Sequence, residues 1–407
     1  MFKRVYYGWI VVVISFFVIS MNSIALFGFG VFIKPLTDTF GWERGELSSV
    51  FSIAVLIGGI LSVISGRLSN RISPRILMTI AGLSLGTGFM LTSRATELWQ
   101  LYLTFGLPIG ITLSCSIIPV NATIPRWFTR KRGIAIAIPA AGFSLGGVVG
   151  PLLIESLISG SGWQHAFVIL GILPFAITVP LAQFVKRPPD DIDQPLESSS
   201  EPGGPDEKPK SDAFSIKKDV LLNKWFWPFA CIQFTFGFST QMIIVHLTPY
   251  GIDVGLEPIV AAGILSFSSA IGVLATIIIG PLADKIRPAK LQTIDFSLLT
   301  ISLFILIFAR TTPVFYIFAF VFGFARQGAG LLQTLTGVEI LGVKNFGFYI
   351  GTFLLFGTTG GMIGTPVAGF IFDATGSYTT AFWMGVAAGG LAVFVSSLLL
   401  RHKPLKI

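Results

Sequence analysis

The chain has 407 residues, of which 53% are hydrophobic and 12% charged, and a formal net charge of +8. Soluble domains carry roughly 25% charged residues, so a water-soluble globule of this length would lack the polar surface to cover its apolar content. What remains is a chain that lives in lipid, where runs of about 20 apolar residues cross the bilayer as helices.

Twelve such runs follow one another, at Tyr7–Phe32, Glu46–Ile64, Ile76–Thr92, Leu98–Ile124, Gly133–Leu157, Trp163–Val185, Trp225–Gly251, Pro258–Pro281, Leu291–Ala309, Pro313–Ile340, Asn345–Phe372 and Tyr378–Leu400. The expected fold is therefore all-α and integral to the membrane, with 12 transmembrane helices. The first run is too long for a signal peptide and no small-residue cleavage site follows it, so it should be retained. Between the sixth and seventh runs the chain turns polar and rich in Pro, Ser and Gly, as in Glu201-Pro-Gly-Gly-Pro-Asp-Glu-Lys-Pro-Lys210. Such a stretch buries too little apolar area to offset its ordering entropy. Residues 1–185 and 225–407 are accordingly expected to form two six-helix bundles, joined by a flexible cytoplasmic linker over 186–224. The end of that linker, Phe214 to Trp227, mixes Lys with Leu, Ile and Trp; it suits a short helix on the inner membrane surface or an extension of the seventh span.

The basic balance is a matter of topology. With both termini in the cytoplasm, all of the 28 Lys and Arg lie on inner loops and tails except Lys34, Arg44, Arg94, Arg310 and the intrahelical Arg326. That asymmetry is the positive-inside rule, and it argues for membrane anchoring over nucleic-acid binding. Cys115 and Cys231 both fall inside expected helices, where a free Cys acts as a small apolar residue.

The two halves repeat each other's punctuation at a shift of 214 residues. Gly66-Arg-Leu-Ser-Asn70-Arg71 returns as Gly280-Pro-Leu-Ala-Asp284-Lys285, Gly147-x-x-Gly150 as Gly361-x-x-Gly364, and Gly41 as Gly255. One offset shared by three matches marks a duplicated unit, and parallel six-helix repeats are a transporter architecture. Connections elsewhere are a few residues long, which leaves no room for a soluble catalytic domain, and no P-loop is present.

Gly66 to Arg75 and Gly280 to Lys290 resemble the G-x-L-x-D-R-x-G-R-K signature of the major facilitator superfamily, at its usual place after span two and as its echo after span eight. The resemblance implies a gate. The glycines Gly66 and Gly280 allow close helix approach, the acid faces a neighbouring helix N-terminus, and Arg71 and Lys285 meet lipid headgroups. Asn70 stands where the signature has an acid, so the Asp284 copy should lock more firmly. The fifth helix carries Gly142-Phe-Ser-Leu-Gly146-Gly147-Val-Val-Gly150-Pro151, similar to a G-x-x-x-G-P motif of proton-coupled drug antiporters, and the eleventh carries Gly357-Thr-Thr-Gly360-Gly361-Met-Ile-Gly364-Thr-Pro366. Both read first as helix-packing faces.

A denser likeness precedes the fifth helix. Trp127-Phe-Thr-Arg130-Lys131-Arg132-Gly-Ile-Ala135-Ile-Ala137-Ile-Pro-Ala-Ala141-Gly142 resembles the Y-F-x-K-R-R-x-L-A-x-G-x-A-x-A-G stretch of the monocarboxylate transporter family. Tyr7-Gly8-Trp9, the run ending Lys34-Pro35, Gly41-Trp42-Glu-Arg44, and Gly162-Trp163 with its following residues are similar to bacterial members; in the second half the best piece is His246-Leu-Thr-Pro249-Tyr250. The resemblance implies a small carboxylate as substrate. It also implies an Asp and an Arg in the eighth helix, where this chain reads Leu265-Ser-Phe-Ser-Ser-Ala270-Ile-Gly, and a lysine at the position held by Phe27.

Arg326 is the candidate replacement for that missing grip. It falls near the middle of the tenth span, where isolated charge costs at least ~2.5–3.5 kcal/mol on insertion scales, and Arg can hold a carboxylate bidentately. The alternative is a structural pair with Asp295 in helix nine, which differs in depth by about 7 Å at ~1.5 Å per residue; Asp295 is also a candidate for ion coupling. His246 and Tyr250 sit one turn apart on a shared face, and His246 could couple protons or be a structural histidine. Asn22, Ser116, Ser144, Gln241 and Gln333 lie near mid-depth and could bind ligand or tie helices together. Glu155 should be wetted at the outer end of helix five. Arg130, Arg132, Gly150 and Pro151 join the two gate copies as expected conformational elements.

The expected function is secondary transport of a small organic anion, a monocarboxylate, across the cell membrane by alternating access, as uniport or with protons or a counter-anion. The alternative is export of a drug or hydrophobic metabolite by proton antiport on the same fold. An embedded enzyme is disfavoured, because His165, His246 and His402 are scattered and no metal cluster or nucleophile–base spacing stands out. A channel is disfavoured by the paired gate motifs. The expected partners are a small-molecule substrate and membrane lipids, with no nucleic acid, cofactor or metal.

Overall fold

The computed structural model describes residues 7–128, 132–186, 224–283, 285–341 and 346–400. Every regular element among them is a helix. α1 is Tyr7–Phe40, α2 Arg44–Arg71 and α3 Pro74–Thr92. α4 runs from Leu98–Leu101 through a π-helical turn, Tyr102–Gly106, into Leu107–Trp127. α5 and α6 follow within one hydrogen-bonded stretch that begins at Arg132, broken where Gly162 takes φ 84° and ψ 163°; α6 ends through a second π turn, Pro174–Thr178, and Val179–Ala182. The later helices are α7 Phe226–Asp253, α8 Pro258–Ala283, α9 Pro288–Ile307, α10 Thr312–Leu341, α11 Phe346–Thr375 and α12 Thr379–Leu399. Eleven stretches among the described residues are long and apolar enough to cross a membrane, the fifth being Ile134–Ala182, which holds both α5 and α6.

Several helices outlast their apolar runs. α1 continues eight residues past Phe32 with Pro35 inside it, and α2 extends to Arg71, because backbone hydrogen bonding persists after the side chains leave the hydrocarbon layer. Each π turn ends two residues before a proline, Pro108 and Pro180. A proline has no N–H to give and its ring pushes away the preceding turn, so the helix widens there.

The duplication is visible in the backbone. The four glycines at positive φ are Gly41 (71°), Gly162 (84°), Gly255 (99°) and Gly376 (68°), two pairs at the 214-residue spacing. Only glycine enters this region without steric cost, so each pair ends a helix in the same way. The packing repeats too. A Cβ on Gly146 would come within 2.7 Å of the Ser20 carbonyl oxygen, and one on Gly150 within 3.1 Å of Ile24 Cα. Their equivalents Gly360 and Gly364 would meet the Phe234 oxygen at 2.0 Å and the Phe238 oxygen at 2.4 Å. Thus α5 lies on α1 as α11 lies on α7, backbone against backbone.

Apolar burial falls into two bodies. One cluster joins α7, α8, α9, α10, α11 and α12 and includes the buried rings Phe229, Phe296, Phe315, Phe318 and Phe322. Two others join α1 to α6 and take only Val245 and Ala262 from the later helices. Large apolar side chains cover the outside, among them Ile277 at 66% and Leu354 at 69% exposure, as lipid-facing surfaces require.

Candidate functional site

The two bodies enclose a cavity of about 480 Å³. α7 supplies one wall through a four-residue ladder, Phe229, Gln233, Gly237 and Gln241, which a helix places along one stripe. α10 supplies another through Arg326, Gln333 and Gly337. These lie seven and four residues apart, so they also share a face. Phe143 of α5 and Val55 of α2 close it from the first body. Arg326 stands at the middle of the 30-residue α10. Its guanidinium lies over the Phe27 ring, 5.6 Å from the centroid, and Phe27 meets Phe143 edge-on at 5.4 Å. Among the described residues no carboxylate pairs with Arg326, and none lines the cavity. The fork of donors is therefore held by an aromatic face and left without a protein anion.

The other candidates divide by location. Gln241 and Gln333 line the cavity with Arg326, and Gln333 Nε2 is buried without a hydrogen-bond partner. Asn22 donates to Ser116 Oγ, which donates to the Thr112 carbonyl at 2.6 Å; this pair ties α1 to α4 away from the cavity lining. Ser144 is half-buried on α5 and absent from the lining. Asp295 packs behind α10: its Oδ1 lies 2.6 Å from where a Cβ on Gly328 would be. Gly328 is two residues from Arg326 and so on nearly the opposite side of the helix, and no ion pair joins Asp295 to Arg326. Glu155, expected to be wetted, is 4% exposed and accepts a hydrogen bond from Ser159 Oγ at 2.7 Å. Gln233 and the aromatic lining were not singled out from the sequence, although the i, i+4 spacing of Gln233 to Gly237 to Gln241 carries the signal.

His246 and Tyr250 belong to a second site, where the two bodies meet at one end. Arg44, the first residue of α2, is 5% exposed. Both its Nη atoms donate to the two oxygens of Asp253 at the end of α7, one at 2.9 Å, and Lys34 Nζ stands 3.8 Å from the same carboxylate. Arg44 Nη1 also donates to Tyr378 Oη at 3.0 Å, and the guanidinium stacks on Phe372, 3.8 Å from its centroid. Asp373 of α11 accepts the backbone N–H groups of Arg44 and Gly45 at 3.0 and 2.7 Å, a carboxylate at a helix N-terminus. His246 is fully buried. Its Nδ1 is 3.0 Å from Tyr378 Oη, and its Nε2 donates to the Thr365 carbonyl at 2.8 Å. Tyr250 Oη accepts from Arg310 Nη1 at 2.5 Å. Below this network, a Cβ on Gly369 would come within 2.6 Å of Gly45 Cα, and one on Gly30 within 2.4 Å of the Val245 oxygen. α2 against α11 and α1 against α7 therefore seal this end, while the cavity residues Phe229, Gly337 and Phe353 lie toward the other.

At that other end stand the expected gate copies. Asp284 and Arg130 lie outside the described residues, and Asn70, Arg71 and Arg132 are described only as helix backbone. Lys285 is exposed. A Cβ on Gly280 would meet nothing within 4 Å, and one on Gly66 only Ile118 Cγ2 at 4.0 Å. Among the described residues, neither of these two glycines has a neighbour closer than 4.0 Å to its would-be Cβ. Gly150 does make a close approach, to Ile24 within its own body, with Pro151 buried beside it.

A family model described as Major Facilitator Superfamily matches residues 13–338. Monocarboxylate transporter 13 of Rattus norvegicus is 24% identical over 97% of this chain and 88% of its own length. Agnestins efflux protein AgnL12 of Paecilomyces divaricatus is 24% identical over 98% of this chain and 88% of its own. Among solved structures, a bacterial homolog of the human lysosomal transporter Spinster superposes with a TM-score of 0.77 at 15% identity, covering 98% of this chain and 97% of that one. A mutant of the nucleoside transporter NupG gives 0.79 at 13% identity, covering 97% and 100%. Long apolar helices, a duplicated bundle with a central cavity, and a family match over most of the length converge on one identification: the chain is a multi-pass membrane protein that belongs to the Major Facilitator Superfamily.

Proposed function

We propose that the protein carries a small organic anion, a monocarboxylate, across the cell membrane by alternating access between its two six-helix bundles. The observation that carries this reading is Arg326: a cation at mid-helix, facing a cavity in which, among the described residues, no acid stands and no carboxylate pairs with it. A charge left so in a low-dielectric site is tolerated when a ligand completes it, and a guanidinium fork matches a carboxylate. Similarity to proteins named monocarboxylate transporters supports the same substrate class. Residues 1–185 and 225–407 form the bundles in this reading, 186–224 the linker, and the break at Gly162 divides α5 from α6, so that twelve helices cross. Charge asymmetry puts both termini in the cytoplasm, which makes the Arg44–Asp253 end the outer gate and the open end the inner mouth.

The second reading, export of a hydrophobic compound, is favoured by the apolar share of the cavity wall and by the relative named as an efflux protein. Ligand-induced thermal stabilisation of the purified protein separates the two, using lactate, pyruvate, succinate and a cationic dye against wild type and Arg326→Gln. Stabilisation by a monocarboxylate that disappears in the variant is expected. Stabilisation by the cationic dye alone, unchanged in Arg326→Gln, overturns the anion reading.

A further inference from the structure

We propose that the ligand held against Arg326 is not a two- or three-carbon acid but an aryl monocarboxylate with a hydrogen-bond acceptor at the end remote from its carboxylate. The inference rests on the anion reading above and goes further, to the shape and functional groups of the substrate.

Three observations carry it. The first is a second unsatisfied group in the same cavity. Gln333 is 6% exposed, lines the cavity, and its Nε2 has no hydrogen-bond partner. A buried donor left unmade carries the penalty of its lost hydration, and a ligand acceptor removes that penalty. The second is spacing. Gln333 lies seven residues from Arg326 on the same helix, two turns on and nearly in register, which separates the two groups by about 10 Å along the axis. A lactate-sized acid bound at Arg326 cannot reach it; a molecule one ring longer can. The third is the aromatic lining of the same cavity. Phe229 and Phe353 pair at 4.7 Å near the open end, Phe236 lies one turn inward of Gln233, and Phe143 stands by Arg326. Faces and edges of this kind accept another ring in stacked or edge-on contact. Gln233 and Gln241 add neutral polar groups along the α7 wall. With one cation and no acid in the lining among the described residues, charge balance asks for a single negative group.

The cavity volume fits the same class. About 480 Å³ falls within the ~300–1,000 Å³ of pockets that take drug-sized ligands.

The test is equilibrium binding to the full-length purified protein with three probes: lactate, phenylpropionate and para-hydroxyphenylpropionate. The variants are Gln333→Leu and Arg326→Gln. In wild type, para-hydroxyphenylpropionate is expected to bind at least about tenfold more tightly than lactate, with phenylpropionate between. Gln333→Leu should weaken para-hydroxyphenylpropionate by about tenfold, the scale of one hydrogen bond, and leave phenylpropionate within a factor of about two. Lactate binding as tightly as either aryl acid in wild type overturns the proposal, and that comparison needs no variant to fold. Equal weakening of both aryl acids by Gln333→Leu also overturns it, since the acceptor contact would then be absent. Failure of the underlying reading looks different: Arg326→Gln would leave the binding of all three acids unchanged.

Discussion

At the residue scale, two arginines in the same lipid-immersed chain do opposite work, and partners decide which. Arg44 is saturated by Asp253, Tyr378 and the Phe372 ring, whereas Arg326, among the described residues, has the Phe27 face and no carboxylate. A saturated cation fixes structure; an unsaturated one is, in the proposed reading, completed by ligand. Removing one member of a buried pair costs about 3–5 kcal/mol, because the other charge stays buried alone. Asp253→Asn should therefore open the Arg44 end. Spin labels on Asp38→Cys and Ser377→Cys, in a Cys115→Ser, Cys231→Ser background, are expected to move apart in that variant. An unchanged distance distribution would remove Asp253 from the gate. Sequence reading found Arg326 from hydropathy alone, since a lone charge in an apolar run is conspicuous. It placed Arg44 as an outer loop charge within a family-like stretch, because nothing local announces that Asp253, 209 residues away, will meet it. His246 and Tyr250 were correctly seen to share a helix face, yet that face meets Tyr378 and Arg310.

At the element scale, glycine spacing sets which helices touch. Gly360 sits so close to α7 that a Cβ would fall 2.0 Å from the Phe234 oxygen, and backbone cannot rotate aside as a side chain can. Gly390, in α12, has nothing within 4 Å of its would-be Cβ. Gly360→Ala is expected to lower the unfolding temperature markedly, with a penalty at or above the ~1–3 kcal/mol of ordinary overpacking. Gly390→Ala should be neutral or stabilising, since alanine gains up to ~1 kcal/mol over glycine in a helix. Equal effects in the two variants would refute the packing account. Both glycine motifs were legible as packing faces from small-residue spacing. The π turns before Pro108 and Pro180 were not, because proline predicts a disturbance and the local packing decides its form.

For the whole molecule, orientation and conformation are the testable quantities. Ser377→Cys at the closed end and Lys285→Cys at the open end are both exposed positions. In intact cells, with Cys115 and Cys231 replaced by Ser, a membrane-impermeant thiol reagent is expected to label the first and spare the second. The reverse pattern would invert the topology. By itself the sequence determined the membrane class, the all-helical character and the 214-residue duplication, and it set the expected orientation through charge asymmetry. These depend on hydropathy, local backbone preference and loop charge, all of which are written along the chain. Only the tertiary structure decided that Arg326, Gln333 and the α7 glutamines share a cavity, that Asp295 lies behind α10, and that Arg44 closes the opposite end. Those facts depend on which helix faces meet across hundreds of residues. In lipid that choice comes from close packing and buried polar pairing, and both are properties of two surfaces together.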